Sequence, residues 1–317
     1  MIKGRVLVTG GAGFIGSHLT EALVQQGCNV TVLDNLNTGT LDNLKSIRNK
    51  INFIKGDIRD IELLKKALKK IDYVFHQAAL RSIPKSIDNP LEFHEVNVLG
   101  TLQMLLACRH NKVKRVVYAS SSSVYGAVRK LPINEEMNAV PISPYSVSKL
   151  GGEMYCRYYW RLSKLPVVIL RYFNVFGPRQ PLESKYAMAI PKFITCLLKR
   201  ESPPIHGDGT QTRDFTYVKD IVKANLLAIR SKQAEGHIFN VGSGINYSVL
   251  ALVDTLKSLL QKNVEPIFIP WRRGDVPHTL ADITKAAKFI KYKPAYKLRE
   301  ALKPTAEYFD NIMKKDK

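Results

Sequence analysis

The chain has 317 residues, 45% hydrophobic and 24% charged, with 48 lysines and arginines against 27 aspartates and glutamates, a net charge of +21. This composition excludes a disordered or low-complexity protein, and no run approaches the roughly 20 consecutive apolar residues that span a bilayer. A charge of this size suits nucleic acid, an anionic surface or a phosphorylated substrate, but no basic block or nucleic-acid-reading motif accompanies it, so neither a nucleic-acid nor a membrane partner is expected.

The start, Met1 to Val8, runs directly into a glycine loop and reads as a first strand, not a signal peptide, so a cytoplasmic location is expected. Cys28, Cys108, Cys156 and Cys196 lack paired spacing and read as reduced thiols, and no metal site is expected.

A β-branched strand, Arg5 to Thr9, meets Gly10-Gly11-Ala12-Gly13-Phe14-Ile15-Gly16 and then an amphipathic helix over Ser17 to Gln26. Strand, glycine turn and helix together are the context of a dinucleotide fingerprint, here spaced G-x-x-G-x-x-G. Gly10 permits the tight turn, Gly13 lets the backbone approach a pyrophosphate, and Gly16 lets the helix pack close to the sheet with its N-terminus facing the phosphates. A second strand, Asn29 to Leu33, ends in Asp34, 18 residues beyond Gly16. A carboxylate there accepts from the adenosine ribose hydroxyls and repels a 2′-phosphate, which favours NAD over NADP. The competing reading of Asp34 is a helix cap.

The alternation continues with a strand over Ile51 to Lys55, a helix over Ile61 to Lys70 and a strand Tyr73 to His76. Asp57 and the small Ala78 and Ala79 follow strand ends, where a doubly wound sheet binds its ligands: Asp57 within reach of the adenine amino group, the alanines allowing close approach. His76 reads as a packed strand-end histidine, since no second histidine stands at metal spacing from it. A long helix is expected from Asn89 or Pro90 to about Arg109, then a strand Arg115 to Ala119 that delivers the run Ser120 to Ser123 to the same edge. The next helix carries Tyr145 and Lys149, four apart and so on one face. An ammonium beside a phenol favours the phenolate, and a nearby serine can pass a proton between it and a substrate hydroxyl. A strand over Val167 to Leu170 completes the series. The fold expected is α/β, a Rossmann-type doubly wound parallel sheet with helices on both faces, over residues 1–177 with chain crossings to and from a smaller α/β C-terminal part, 178–317.

Taken in order, Thr9 to Gly16, Asp34-Asn35, Gly56 to Asp60, His76 to Ala79, Asn97 to Thr101, Ser121 to Gly126, Tyr145 with Lys149, and Arg171 to Arg179 resemble the extended short-chain dehydrogenase/reductase family. Within it the chain is similar to the nucleotide-sugar epimerases of the UDP-galactose 4-epimerase type, over nearly its whole length. The resemblance implies bound NAD contacted by Gly10, Gly13, Phe14, Ile15, Gly16, Asp34, Asn35, Asp57, Ile58, Gln77, Ala78, Ala79, Asn97, Tyr145, Lys149 and Tyr172. It places the proton-shuttling hydroxyl on Ser121 beside Tyr145 and Lys149, with Ser122 and Ser123 touching substrate or serving structure. The family's dehydratases carry an Asp-Glu pair at these last two positions, and its decarboxylases a glutamate in this stretch, so neither activity is expected.

The second half resembles the family's UDP-sugar domain. Asn174 and Arg213 would reach the diphosphate with Arg272, Ala189 would line the uridine pocket, Asp275 would take its ribose, and His206, in the segment leading to Arg213, would be a further substrate residue. Thr279 stands where enzymes restricted to UDP-glucose and UDP-galactose carry a tyrosine, which leaves room for a 2-acetamido group. With Ser82 near the sugar, the chain looks most like UDP-N-acetylglucosamine 4-epimerases. Arg81, where a small residue is expected, either narrows the pocket or pairs with an acidic sugar, so a UDP-glucuronate 4-epimerase or another nucleotide-sugar oxidoreductase stays open. A non-catalytic NAD-binding or RNA-associated protein is the remote alternative. Two apolar-faced helices, about Pro90 to Arg109 and Tyr145 to Leu162, resemble the pair that forms a homodimer interface in this family.

Overall fold

The computed structural model describes residues 3–182, 188–271 and 274–315. The first half alternates as its sequence alternates: β1 (Arg5–Thr9), α1 (Phe14–Gln25), β2 (Asn29–Asp34), β3 (Ile51–Lys55), α2 (Ile61–Ala67) and β4 (Tyr73–His76). Then come α3 (Ile83–Asp88), α4 (Pro90–His94), a π-helical turn over Glu95–Leu99, α5 (Gly100–His110), β5 (Arg115–Ser121), α6 (Pro144–Ser163) and β6 (Val167–Tyr172). The helix expected from Pro90 to Arg109 is therefore one rod wound wider at its centre, and such π turns gather at functional sites. Pro144 occupies the first turn of α6, and Ser143 and Ser146 form a reciprocal capping box that fixes where the helix begins.

Beyond β6 the chain forms β7 (Val175–Phe176), α7 (Ala189–Lys199), β8 (Pro204–His206), β9 (Thr212–Arg213), β10 (Thr216–Tyr217), α8 (Val218–Ala228) and β11 (Ile238–Val241). It ends with β12 (Tyr247–Ser248), α9 (Val249–Leu260), β13 (Ile267–Ile269), α10 (Thr284–Ile290) and α11 (Leu298–Lys315).

The main sheet is all parallel, in the order β11-β6-β5-β4-β1-β2-β3. Its order reverses between β1 and β4, the switch point outside which a doubly wound sheet binds its ligands, and helices cover both faces. Leu7, Val74, Val116 and Ile169 pack toward Met104, Leu105 and Cys156 of α5 and α6. The alternate residues, Val6, Val8, Val117 and Val168, pack toward Leu19 and Leu23 of α1 and Ile221 of α8. β11 lies far along the chain, yet it forms the edge of this sheet beside β6. A separate core joins α7, α9 and α11 through Phe193, Leu252 and Phe309. Among the described residues no helix is long and apolar enough to cross a membrane.

Candidate active site

The carboxyl ends of β1, β2, β4 and β5 open onto one cleft. Every residue assigned to NAD from the sequence lines it except Asn97, and Arg59, Arg81, Ser120, Asn37 and Thr38 join them on its walls. Gly10 has φ +67°, and a Cβ there would come within 2.7 Å of the Ala78 nitrogen. A Cβ on Gly16 would lie 2.0 Å from the Gly10 carbonyl oxygen, so the loop and α1 pack in a space only hydrogen can fill. Above Gly13, by contrast, a Cβ would meet only the Gly10 oxygen, at 3.2 Å. α1 starts with no side chain capping it and no acidic residue in its first turn, which leaves its amides for an anionic ligand. This bare loop fits a pyrophosphate.

Asp34 is not a helix cap. Its Oδ2 accepts from the Ala12 amide at 2.9 Å and its Oδ1 from the Leu36 amide at 2.8 Å, which braces the glycine loop. Burial raises its carboxyl, opposed by these two amides, and each oxygen keeps a lone pair for a ribose hydroxyl. Asp57 is engaged more heavily than the sequence suggests: Arg59 donates from its backbone, Nε and Nη2, and Asn35 from Nδ2. The hydrogen bonds from Arg59 hold the Asp57 carboxyl down at about 2. Arg59 also reaches Glu95 at 3.2 Å. An arginine two residues past a strand-end aspartate was the available sequence cue for this pair.

Asn97 is the exception among the cofactor residues. Its Oδ1 accepts from the Leu80 amide, and Nδ2 donates to the Leu80 carbonyl and to Ser148 Oγ. Both amide hydrogens are spent, so from the π-helical turn Asn97 clamps the Leu80 loop to α6 and has no donor for a cofactor. Gln77, Tyr172 and Asn225 close a second polar cluster behind the cleft, with Tyr172 Oη donating to Asn225 Oδ1 at 3.1 Å.

Tyr145 lies in the first turn of α6, its ring edge-on to Phe93. Burial pushes its phenol up, while the Ser121 hydroxyl and the charge of Arg81 pull it back. Lys149, one turn on, is buried, and this pulls its ammonium down to about 8 against Cys156 and Glu153. The expectation that Lys149 acts on the phenol meets a different arrangement, because Nζ lies over the ring of Tyr118, 4.6 Å from its centroid. Ser121 ends β5 and accepts from the Ser123 amide at 3.2 Å. The Ser123 hydroxyl is buried without a protein partner, a donor left for a ligand atom.

The same helix stripe continues to Glu153, which sequence reading passed over although it stands four residues beyond Lys149. Arg171 and Ser120 hold its carboxylate, and the Arg171 guanidinium stacks 4.5 Å from the Tyr125 centroid.

The second half holds most of the remaining residues assigned to the substrate, and none of those described is among the residues that line the cleft. Asn174, at φ +23°, donates from Nδ2 to Thr279 Oγ1 at 3.0 Å, and Thr279 also accepts the Asp214 amide at 3.2 Å. Thr279 is therefore not a bare gap but the anchor of the Asn174 amide. Arg213 donates from Nη1 to the Thr212 and Pro277 carbonyls; burial lowers it and Asp275 opposes that. His206 ends β8 and donates from Nδ1 to the Pro270 carbonyl at 2.9 Å. Ala189 opens α7, and Ser82 caps α3, accepting the Lys85 amide. Arg272 lies outside the described residues.

Comparison with known proteins places this geometry. The family model described as NAD dependent epimerase/dehydratase family matches residues 6–242. A UDP-glucose 4-epimerase of Mycolicibacterium smegmatis is 37% identical, covering 97% of this chain and 99% of its own. The UDP-N-acetylglucosamine 4-epimerase from Methanobrevibacter ruminantium M1, solved with UDP-N-acetylmuramic acid, is 41% identical with a TM-score of 0.95, covering 99% of this chain and all of the other. The UDP-glucuronic acid 4-epimerase from Bacillus cereus, solved with UDP-glucuronic acid and NAD, is 34% identical with a TM-score of 0.92, covering 97% and 99%. With a glycine loop that fits a pyrophosphate and a tyrosine and lysine above it, the chain belongs to the NAD dependent epimerase/dehydratase family.

Proposed function

We propose that this protein inverts the configuration at C4 of a UDP-hexose through a 4-keto intermediate, with UDP-N-acetylglucosamine and UDP-N-acetylgalactosamine as the pair it serves and UDP-glucose and UDP-galactose as further substrates. The observation that carries the reading is one cleft that holds Tyr145 and Lys149 against the glycine loop, with Ser121 at the phenol and no acidic residue at 122 or 123. NAD, when bound, supplies the transient acceptor and return donor of the hydride. The glycine loop, Asp34 and Lys149 would hold it.

Tyr145, as phenolate, would take the C4 hydroxyl proton directly or through Ser121 and give it back to the C4 oxygen once the sugar has turned its opposite face to the hydride donor. Arg81 lowers the cost of that phenolate, and its charge reaches Tyr145 across the cleft. Asn174 and Arg213, with Arg272, anchor the diphosphate so that the sugar can turn over. Ser123 offers the sugar a hydroxyl otherwise without a partner. Residues 178–317 serve as the UDP-sugar part, with β11 returned to the main sheet.

Arg81 on the cleft wall favours one second reading, a UDP-glucuronate 4-epimerase in which its guanidinium meets a carboxylate. Incubation with UDP-glucose, UDP-N-acetylglucosamine and UDP-glucuronate, with C4 stereochemistry followed by NMR, separates them. Inversion of the acetamido sugar supports the first reading. Inversion of the uronate alone supports the second, and inversion of none removes both.

A homodimer goes with this reading. Leu99 and Leu106 on one helical rod, and Val147, Met154, Tyr158 and Leu162 on α6, leave an exposed apolar face on adjacent helices.

A further inference from the structure

Lys149 is 3% exposed. An ammonium so placed has lost its water and needs other company to stay charged. The groups around it come from three elements. Glu153 and Cys156 lie on its own helix, which also carries Tyr145 one turn earlier, with Tyr118 on β5 and His76 on β4. Glu153 has both oxygens engaged by Arg171. The contact the ammonium makes is with the face of Tyr118, at 4.6 Å from the ring centroid, well within the range where a ring quadrupole attracts a cation.

That ring is held from several sides. The register of β4 and β5 sets Tyr118 opposite His76, with ring centroids 5.7 Å apart. His76 is itself fixed between Thr9 Oγ1 at 2.7 Å and Thr101 Oγ1 at 3.0 Å. On the helix side, Tyr118 Oη donates to the Lys149 carbonyl at 3.3 Å, and a Cβ on Gly152 would lie 2.2 Å from Tyr118 Oη. Gly152 thus lets the phenol slide beneath α6, which brings the ring face under the lysine one turn earlier.

We infer that Tyr118 is a positioning residue of the candidate active site: its ring face seats the Lys149 ammonium and fixes the place from which that group donates into the cleft. The inference rests on the reading of Lys149 as a working residue, but the seat itself can be tested apart from activity. Attraction to a ring face weakens as fluorine withdraws density from the ring, while size and packing hardly change. The full chain is therefore made with phenylalanine, difluorophenylalanine and trifluorophenylalanine at position 118. Titration of Lys149 is followed without NAD through its labelled ε-carbon, assigned with Lys149→Met.

Tyr118→Phe keeps the ring and is expected to titrate as the unaltered protein does. Each fluorination step should make the ammonium easier to deprotonate, lowering the midpoint by about one pH unit across the series. A midpoint indifferent to fluorination overturns the inference. So does a Tyr118→Phe shift as large as that of the trifluoro ring, because the bond from Oη to the Lys149 carbonyl would then carry the effect. A graded shift together with full turnover by Lys149→Met supports the seat and removes Lys149 from the catalytic set.

Discussion

Arg171 grips Glu153 through two parallel bonds, Nε to Oε1 at 2.9 Å and Nη2 to Oε2 at 2.6 Å, with both side chains almost wholly buried. Ser120 donates a third bond to the same carboxylate. The pair ties α6, the helix of Tyr145 and Lys149, to the strands that end at the cleft. Removing one partner strands a buried charge, whereas removing both does not. Arg171→Met should therefore cost about 3–5 kcal/mol of stability, and Glu153→Leu with Arg171→Met should recover much of it. Urea unfolding measures both. A single variant within about 1 kcal/mol of the parent would remove the pair from the supports of α6.

Tyr145→Phe keeps the ring against Phe93 and removes only the hydroxyl. The variant should fold and bind UDP-sugar while turnover falls about 10²–10⁴-fold, the usual worth of a proton-transfer group. Near-parental turnover would sink the proposed mechanism.

Thr279→Tyr should reduce turnover of acetamido sugars more than of plain hexoses, and an equal effect on both removes Thr279 as a size gate. It also deletes the hydroxyl that anchors Asn174 and the Asp214 amide. Thr279→Val separates the two effects, since it keeps the size and loses the bonds. Its expected cost is about 1–3 kcal/mol of stability with no change in the acetamido preference.

The apolar face of α5 and α6 should hold two copies together. Met154, 45% exposed near its middle, is the place to test this. Light scattering should give twice the chain mass for the parent and one chain mass for Met154→Asp. A parent of single-chain mass contradicts the homodimer.

Burial holds the His76 imidazole down at about 3, with the Lys149 charge adding to it, against an ordinary value of 6.5. Between those values the unfolded chain binds a proton that the native state refuses, so this group's share of stability falls as pH drops through that window. His76 ring resonances should stay unchanged from pH 8 to 5. A midpoint near 6.5 would place the ring in water.

Much of this protein is written in local spacing. Thr9 to Gly16 followed by a carboxylate at Asp34, β/α alternation through Tyr172, and Tyr145 with Lys149 on one helix face are properties of short segments, fixed by steric rules and helical period. The family and the parallel sheet were legible from them. Contacts between distant segments were not. The Asn97 amide turns to Leu80 and Ser148 because a π-helical turn aims it there, and Thr279 meets Asn174 across 105 positions. Lys149 looks in sequence like a partner of the phenol four residues before it, but the parallel register of β5 on β4, and a glycine at 152, slide an aromatic face beneath it. Sequence thus determined which chemical groups the cleft would hold. Tertiary structure decided what each one touches, because a side chain's partner depends on register and helix docking, which no stretch of the chain contains by itself.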